Sequence, residues 1–303
     1  MIKVFIDGSA GTTGLKIFDR LSQRADIELI KIAEEFRKDL SARADAINSA
    51  DVCFLCLPDD AAKEAVTLVK NDSVKLIDTS TAHRTNADWT YGFPELIGYD
   101  KIAAAKKIAN PGCHASGFIS LVAPLVKAGI INADAKLSCF SLTGYTGGGK
   151  KMIAQYTSEA EELASPRVYG ITQNHKHLPE MQLVCGLQNA PIFVPTVAAF
   201  PQGMQVTVPL FLSDLCGGIE QIKAVYQNTY KGKIVFYDDC DESGFLFSDK
   251  FAGKDAMAVG VFGNEQRITL VSRFDNLGKG ASGAAIQNMN VLLGLPEETG
   301  LVL

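Results

Sequence analysis

The chain has 303 residues, with 29 basic and 34 acidic side chains, a formal net charge of -5 and a mean hydropathy of +0.10. That length suits two domains of roughly 100–200 residues each, and 47% hydrophobic against 21% charged residues excludes disorder, collagen-like repeats and coiled coils. No Lys/Arg cluster is long enough to neutralise a row of phosphates, which excludes an extended nucleic-acid footprint. Seven cysteines, at 53, 56, 113, 139, 185, 216 and 240, form an odd, scattered set unlike a secreted disulfide scaffold, and point to reduced thiols in a cytoplasm. Residues 1–7 hold too few apolar side chains for a signal h-region. The longest apolar stretch, 115–131, is interrupted by Ser120, Pro124 and Lys127 and falls short of the ~20 residues that a membrane span needs.

The first eighty residues alternate strand-like and helix-like segments, the pattern of βαβ units in a parallel sheet. Residues 3–7 (KVFID) predict a strand, followed by the glycine turn 8–14 and a helix whose apolar face is Leu15, Phe18 and Leu21. Strands are predicted at 27–33, 51–57 and 75–78, with an amphipathic helix over 59–69 capped by Asp59 after Pro58. The unbroken apolar run 52–57 suits a strand covered on both faces. From about Asn132 longer strands with turn residues between them follow, at 136–142, 205–212, 233–237, 256–262 and 266–273. The last two are joined by Gly263-Asn264-Glu265 as a hairpin, so this half reads as a mixed or antiparallel sheet. Residues 280–293 predict a helix, rich in small residues at its start.

Gly8-x-x-Gly11-x-x-Gly14 lets the backbone turn tightly after a strand and approach a pyrophosphate at the N-terminus of the helix beginning near Thr13. An acid for the ribose is available at Glu34 or Glu35, whereas Arg37 and Lys38 instead suit a 2′-phosphate, so the residues leave NAD against NADP open. Asn110-Pro-Gly-Cys113 is a turn into an apolar helix, and a cysteine at that N-terminus meets the positive end of the helix dipole, which raises its thiolate fraction. Cys113 is the candidate nucleophile; the other six thiols are assigned to packing. Cys53 and Cys56 point to opposite faces of a strand and no second pair completes a zinc site. Among four histidines, His175 and His177 share the polar segment Asn174–Glu180, which supplies a general acid or base, with Glu180 close enough to orient one of them. A metal reading of this His-x-His lacks a third ligand. Two polar loops, 78–84 and 141–150, offer Arg84, Ser141, Gly144 and Lys150 to a carboxylate or phosphate.

The segments VFIDGSAGTTGL at 4–15, DVCFLCLPDDAAKEAV at 51–66, LIDTSTAHR at 76–84, YGFPEL at 91–96, NPGCHASG at 110–117, TGYTGGGK at 143–150, NHKHLPE at 174–180 and DNLGKGASGAAIQNMN at 275–290 together resemble the N-acetyl-γ-glutamyl-phosphate reductase family. The resemblance is to its shorter, type 2 form, which belongs with aspartate-semialdehyde dehydrogenase. It implies an α/β fold, with a Rossmann-like NAD(P)-binding domain over 1–112 and 280–303. An α+β catalytic and oligomerisation domain with a mixed, largely antiparallel sheet would occupy 113–279. It further implies Cys113 as the thioester-forming nucleophile and His175 or His177 as the acid–base group that protonates the departing thiolate. An NADP(H) site would comprise Gly8, Ser9, Gly11, Thr12, Thr13, Gly14, Arg37 and Lys38, with Asn276 near the nicotinamide. The implied reaction is NADPH-dependent reduction of a small-molecule acyl phosphate, N-acetyl-L-glutamyl 5-phosphate, in arginine biosynthesis, by a cytoplasmic homo-oligomer, a dimer or tetramer. The nearest alternative is an aspartate-semialdehyde dehydrogenase; a non-catalytic dinucleotide-binding sensor is a remote one.

Overall fold

The computed structural model describes residues 1–158 and 162–303. The chain forms two compact units, Met1–Pro111 with Ala281–Leu301, and Gly112–Gly280 with Val302–Leu303. Among the described residues no helix is long and apolar enough to cross a membrane.

In the first unit, β1 (Ile2–Asp7), β2 (Ile27–Ile30), β3 (Val52–Leu55), β4 (Lys75–Asp78), β5 (Thr90–Tyr91) and β6 (Lys107–Ala109) make one parallel sheet of order β2-β1-β3-β4-β6-β5. Alternation of side chains across the sheet sorts its residues into two cores. Val4, Ile6, Val52, Phe54 and Ile77 pack with Ile17 and Leu21 of α1 (Thr12–Leu21) and with Ile286 and Met289 of the C-terminal helix (Gly283–Leu292). Phe5, Cys53, Leu55 and Leu76 face the other way, onto Ala46 and Ile47 of α2 (Leu40–Ser49) and Ala65 of α3 (Asp59–Thr67). Two short helices, α4 (Pro94–Ile97) and α5 (Tyr99–Ala103), lead from β5 to β6.

Three local expectations are corrected here. The buried stripe of α1 is Gly14, Ile17 and Leu21, with Leu15 46% exposed, because glycine 14, having no side chain, is the residue that lets α1 approach the turn behind it. A Cβ at Gly14 would lie 2.5 Å from the Gly8 carbonyl oxygen. The cap of α3 is Pro58, and Asp59 instead accepts hydrogen bonds from the backbone and hydroxyl of Thr81. The helix α2, absent from the sequence reading because it carries only Ala46 and Ile47 as large or apolar core contacts, starts at an Asp39 cap whose side chain accepts from the Ala42 N–H.

In the second unit, β7 (Ser138–Gly144), β8 (Arg167–Val168), β9 (Ile192–Ala198), β10 (Met204–Phe211), β11 (Val235–Tyr237), β12 (Met257–Gly263) and β13 (Arg267–Phe274) form a mixed sheet of order β11-β12-β13-β10-β7-β9-β8. The hairpin β12–β13 pairs antiparallel from Met257↔Phe274 to Gly263↔Ile268. The missed strand β9 carries Pro195 opposite Ser141 of β7; a proline reads as a strand breaker in sequence, yet its carbonyl still accepts from the Tyr169 N–H.

Helix α6 (Cys113–Lys127) packs on the β10 and β13 side of this sheet. Further helices are α7 (Gly149–Ser158), α8 (Leu178–Cys185) and α9 (Ile219–Thr229). Two tyrosines of the α9 region grip α6 from behind, Tyr226 Oη donating to the Leu121 carbonyl at 2.7 Å and Tyr230 Oη to that of Ser120 at 2.6 Å.

The seat of α6 depends on Gly117, where a Cβ would lie 2.3 Å from Val206 Cγ2 and 2.9 Å from Ser272 Oγ. Replacing it by alanine forces helix and sheet apart. Gly117→Ala is expected to cost about 1–3 kcal/mol by overpacking, read as a lowered urea midpoint with an unchanged slope.

Candidate functional site

The sheet order places β2 on one side of β1 and β3 on the other, so the chain reverses direction of travel at β1 and β3. Ligands of open parallel sheets collect at such a switch point, beyond the carboxyl ends of the strands. A cleft of about 760 Å³ lies there, lined by Gly8, Ser9 and Gly11 after β1, by Cys56, Leu57 and Pro58 after β3, and by Arg37 and Lys38. That volume is of the size that holds a cofactor. Gly8 has φ +89°, and a Cβ on it would stand 2.3 Å from the Cys56 carbonyl oxygen, whereas one on Gly11 would meet nothing nearer than 3.5 Å. The turn is therefore closed on its inner side and open where a pyrophosphate would approach. Thr12, Thr13 and Gly14 form the first turn of α1 behind this opening.

Electrostatics of the cleft rest on a residue that sequence reasoning passed over. Arg43, 6% exposed on α2, donates from Nε and Nη2 to Asp7 Oδ2 at 3.1 and 3.0 Å and from Nη1 to Glu64 Oε2 at 2.8 Å. All three line the cleft. Burial holds the Asp7 carboxyl above its usual pKa despite the hydrogen bonds from Arg43. Without that guanidinium, two carboxylates at the floor would repel a pyrophosphate. The Glu34 carboxylate is paired with Arg37 at 2.6 Å in the 3-10 turn Glu34–Phe36, so one of the two acids expected for a ribose is already engaged and the other, Glu35, does not line the cleft, while Lys31, Arg37 and Lys38 give the rim its positive charge.

In the second unit Cys113 is the first residue of α6, after Gly112 as N-cap, and no side chain caps the helix. The first turn of the helix and the positive end of its dipole lie at the half-buried thiol. Gly280 backs it, where a Cβ would lie 3.0 Å from the Cys113 Cβ. The Gly112 N–H donates to Glu180 Oε2 at 3.2 Å, and Glu180 Oε1 lies 4.0 Å from His177 Nε2. His177 is the N-cap of α8 and is buried; its own N–H donates to His175 Nδ1 at 3.2 Å. Burial, with help from Lys176, lowers the His175 pKa.

His114 completes a cluster, its ring centroid 5.6 Å from that of His177 and 5.9 Å from that of His175. Its Nδ1 is 2.6 Å from Ser141 Oγ and its Nε2 2.6 Å from Tyr169 Oη. Such an arrangement, a thiol at a helix N-terminus followed by a buried histidine whose ring packs with those of His175 and His177, equips the unit for acyl transfer through a thioester. The remaining thiols differ physically: burial pushes the pKa of Cys53, Cys139 and Cys185 up, and that of Cys56 to about 12, which keeps them protonated.

Residues 3–105 match the family described as semialdehyde dehydrogenase, NAD binding domain, and residues 113–276 the family described as semialdehyde dehydrogenase, dimerisation domain. Relatives from Brucella ovis and Brucella anthropi, both named N-acetyl-gamma-glutamyl-phosphate reductase, are 49% identical over 306 residues, spanning 96% of this chain and 99% and 98% of theirs. This chain belongs to the N-acetyl-gamma-glutamyl-phosphate reductase family. In fold it is similar to the aspartate semialdehyde dehydrogenase II of Vibrio cholerae solved with ASA, at 17% identity and TM-score 0.73 over 97% of this chain and 98% of that one. The enzyme of Francisella tularensis is similar at 15% identity and TM-score 0.73, over 97% and 100%. The first unit carries the parallel sheet of the NAD binding domain and the second a mixed sheet.

For this member of the reductase family, the structure redistributes several residues expected to hold an anion. Ser141 and Gly144 lie in and at the end of β7, not in a loop. Ser141 is buried against His114, and Gly144 is needed because a Cβ would stand 2.6 Å from the Pro201 carbonyl oxygen. Lys150 is exposed in the first turn of α7. Arg84 spends its Nε on the Asn110 carbonyl at 2.9 Å and its Nη2 on that of Thr79 at 3.1 Å, bracing the end of the first unit's chain. Asn276 is buried in the second unit, accepting from Gly203 N–H and donating to Thr146 Oγ1, both at 3.0 Å. His114, Tyr169 and Arg43 went unassigned in sequence; adjacency of His114 to Cys113 was the one readable signal.

Burial depresses the His114 pKa from 6.5 to about 3. Below pH 6.5 the unfolded chain takes up a proton that the folded chain refuses, so stability is complete above the unfolded value and is lost as pH falls toward the folded one. Between pH 6.5 and about 4.5 this contributes a loss on the order of 2 kcal/mol, and the slope of melting temperature against pH over that range is expected to flatten in His114→Gln.

Proposed function

We propose that this chain reduces N-acetyl-L-glutamyl 5-phosphate to N-acetyl-L-glutamate 5-semialdehyde, releasing phosphate, with NADPH as reductant. The observation that carries the reading is Cys113 at the uncapped N-terminus of α6 beside the His114–His175–His177 cluster, in a chain 49% identical to proteins of that name. The Cys113 thiolate attacks the acyl carbon, the C–S bond forming as the bond to the phosphate oxygen breaks. Backbone N–H groups at the start of α6 hold the oxyanion. The thioester remains on Cys113. NADPH, when bound, would supply the hydride for that carbonyl, and Cys113 leaves as thiolate as the aldehyde forms. His177, with Glu180 Oε1 at 4.0 Å, is our choice for the proton the overall reaction consumes, with His175 holding its backbone through Nδ1.

Gly8, Ser9 and Gly11 are assigned to the pyrophosphate, Arg37 and Lys38 to the 2′-phosphate, and Asn276 to the nicotinamide. Thr12, Thr13 and Gly14 support the turn from α1. For Arg84 and Lys150 an anion-binding role rests on residue type alone. The alternative of an aspartate-semialdehyde dehydrogenase draws on a shared fold at 17% identity or less in the structures compared and is the weaker reading.

A homo-oligomer follows from the open face of the second sheet. Phe140, Ile192 and Phe211, which point away from α6 on β7, β9 and β10, are 50%, 61% and 58% exposed. Such an apolar sheet face is ordinarily covered, and a second copy, in a cytoplasmic enzyme, is the occupant proposed.

Incubation with the acyl phosphate and no NADPH is expected to leave an acyl adduct on Cys113, detected by peptide mass spectrometry; an adduct on another thiol, or none, refutes the mechanism. Cys113→Ser is expected to abolish both adduct and turnover. Arg37→Ala with Lys38→Ala is expected to raise KM for NADPH by about tenfold or more while leaving NADH nearly unaffected, the size of two lost charged contacts to a phosphate.

A further inference from the structure

Strands β8 and β9 run antiparallel with Arg167 opposite Val197 and Val168 opposite Thr196, and at the next pair the Tyr169 N–H donates to the Pro195 carbonyl. Beyond it the backbone leaves the sheet: Gly170 takes φ +61°, and the Gln173 N–H closes a turn onto the Gly170 carbonyl at 3.0 Å. The pairing nevertheless continues, because the Gln173 side chain takes the place of a strand residue. Its Nε2 donates to the Phe193 carbonyl at 2.8 Å and its Oε1 accepts from the Phe193 N–H at 2.9 Å. A side-chain amide offers the same donor and acceptor as a peptide group, and only one orientation of it makes both bonds. Gln173 itself stands at φ +57°, a backbone conformation that disfavours a glutamine and suits a glycine. It is therefore the amide, and not the backbone preference, that the position uses.

Phe193 is the residue on which the histidine cluster packs. It is 1% exposed, and its ring centroid lies 5.0 Å from that of His175 and 5.3 Å from that of His114, the residue after Cys113 in α6. His175 in turn accepts the His177 N–H at Nδ1, and its carbonyl accepts the Leu178 N–H at 3.0 Å, where α8 starts. The segment carrying both histidines is thus tied at one end by α8 and at the other by the Gln173 amide. We propose that Gln173 is a positioning residue for the reaction: by clamping the turn Gly170–Gln173 to the Phe193 backbone, it sets where His175 and His177 stand against His114 and the helix that begins at Cys113. The inference rests on the proposed reading of Cys113 and the histidine pair as the reacting groups. In this role Gln173 touches neither substrate nor cofactor and carries no proton of the reaction.

The test uses the intact protein at neutral pH with isotope-labelled histidine rings, read by NMR alongside steady-state kinetics. The chain has four histidines, so three ring signals report on the cluster and that of His83, in the first unit, is the control. Gln173→Glu keeps the length and one acceptor but sets a carboxylate oxygen against the Phe193 carbonyl, and Gln173→Asn keeps the amide but is one methylene short. Each is expected to move the signals of His114, His175 and His177 and to leave that of His83 in place. Each is also expected to lower kcat by about ten- to hundredfold, the cost of a displaced reacting group, with KM for the acyl phosphate and for NADPH within about twofold. Gln173→Gly, which suits the backbone at this position, is expected to lose kcat equally while melting no lower than Gln173→Asn, which separates positioning from stability. Cluster signals unmoved in Gln173→Glu and Gln173→Asn, or kcat within about twofold of the parent in either, overturns the proposal. The ring signals need neither substrate nor NADPH. Moved signals in a protein whose parent has no reductase activity therefore refute the proposed function alone, and unmoved signals in an active reductase refute this inference alone.

Discussion

Helix α6 begins at Cys113, the nucleophile proposed above, and its N-cap residue, Gly112, has no side chain to cap it. An N-cap serine, threonine or aspartate would stabilise the helix by about 1 kcal/mol, but its oxygen would occupy the amides that an acyl oxyanion needs and would put lone pairs against a thiolate. Gly112 brings no such oxygen to the helix start. What replaces the cap is tertiary: Glu180 accepts the Gly112 N–H, Gly117 lets the helix lie directly on Val206, and two tyrosine hydroxyls hold its carbonyls from behind. The surrounding unit can be understood as the framework that keeps an uncapped helix end in place.

The same exchange of local for tertiary stabilisation occurs in the first unit. The turn after β1 adopts φ +89° at Gly8 and packs its inner side against Cys56, so that the outer side is bare backbone. The buried Asp7 at the end of β1 needs Arg43, and Arg43 in turn engages Glu64. The surface proposed for a pyrophosphate thus lies above carboxylates whose charge is offset by one guanidinium, carried by a helix with little apolar character of its own and inserted between them.

Much of this was readable from residue order. The glycine spacing after a short β-rich run, the parallel βαβ alternation and the Asn-Pro-Gly-Cys turn each have a local physical cause, and each stands where local chemistry places it. The failures are equally specific. Leu15 looked like core because it is large, but the helix is rotated so that Gly14 faces inward, since closeness to the Gly8 carbonyl outweighs burying a leucine. Ser141 and Gly144 looked like a loop because Ser, Thr and Gly favour turns, yet pairing with β9 and β10 imposes a strand. Pro195 hid β9 for the converse reason.

Cysteine chemistry shows where the boundary lies. By itself the sequence determined that one thiol among seven follows a turn into a helix, that two histidines lie within three residues of each other, and that a glycine turn follows the first strand, because these depend on neighbours along the chain. Only the tertiary structure decided that His114 joins those histidines, that its two nitrogens are committed to Ser141 and Tyr169, and that Arg43 reaches Asp7. Those partners are 27, 55 and 36 residues apart. Hydrogen bonds over such separations exist only once sheet register and helix packing have set the distances, and no periodicity within a segment encodes them.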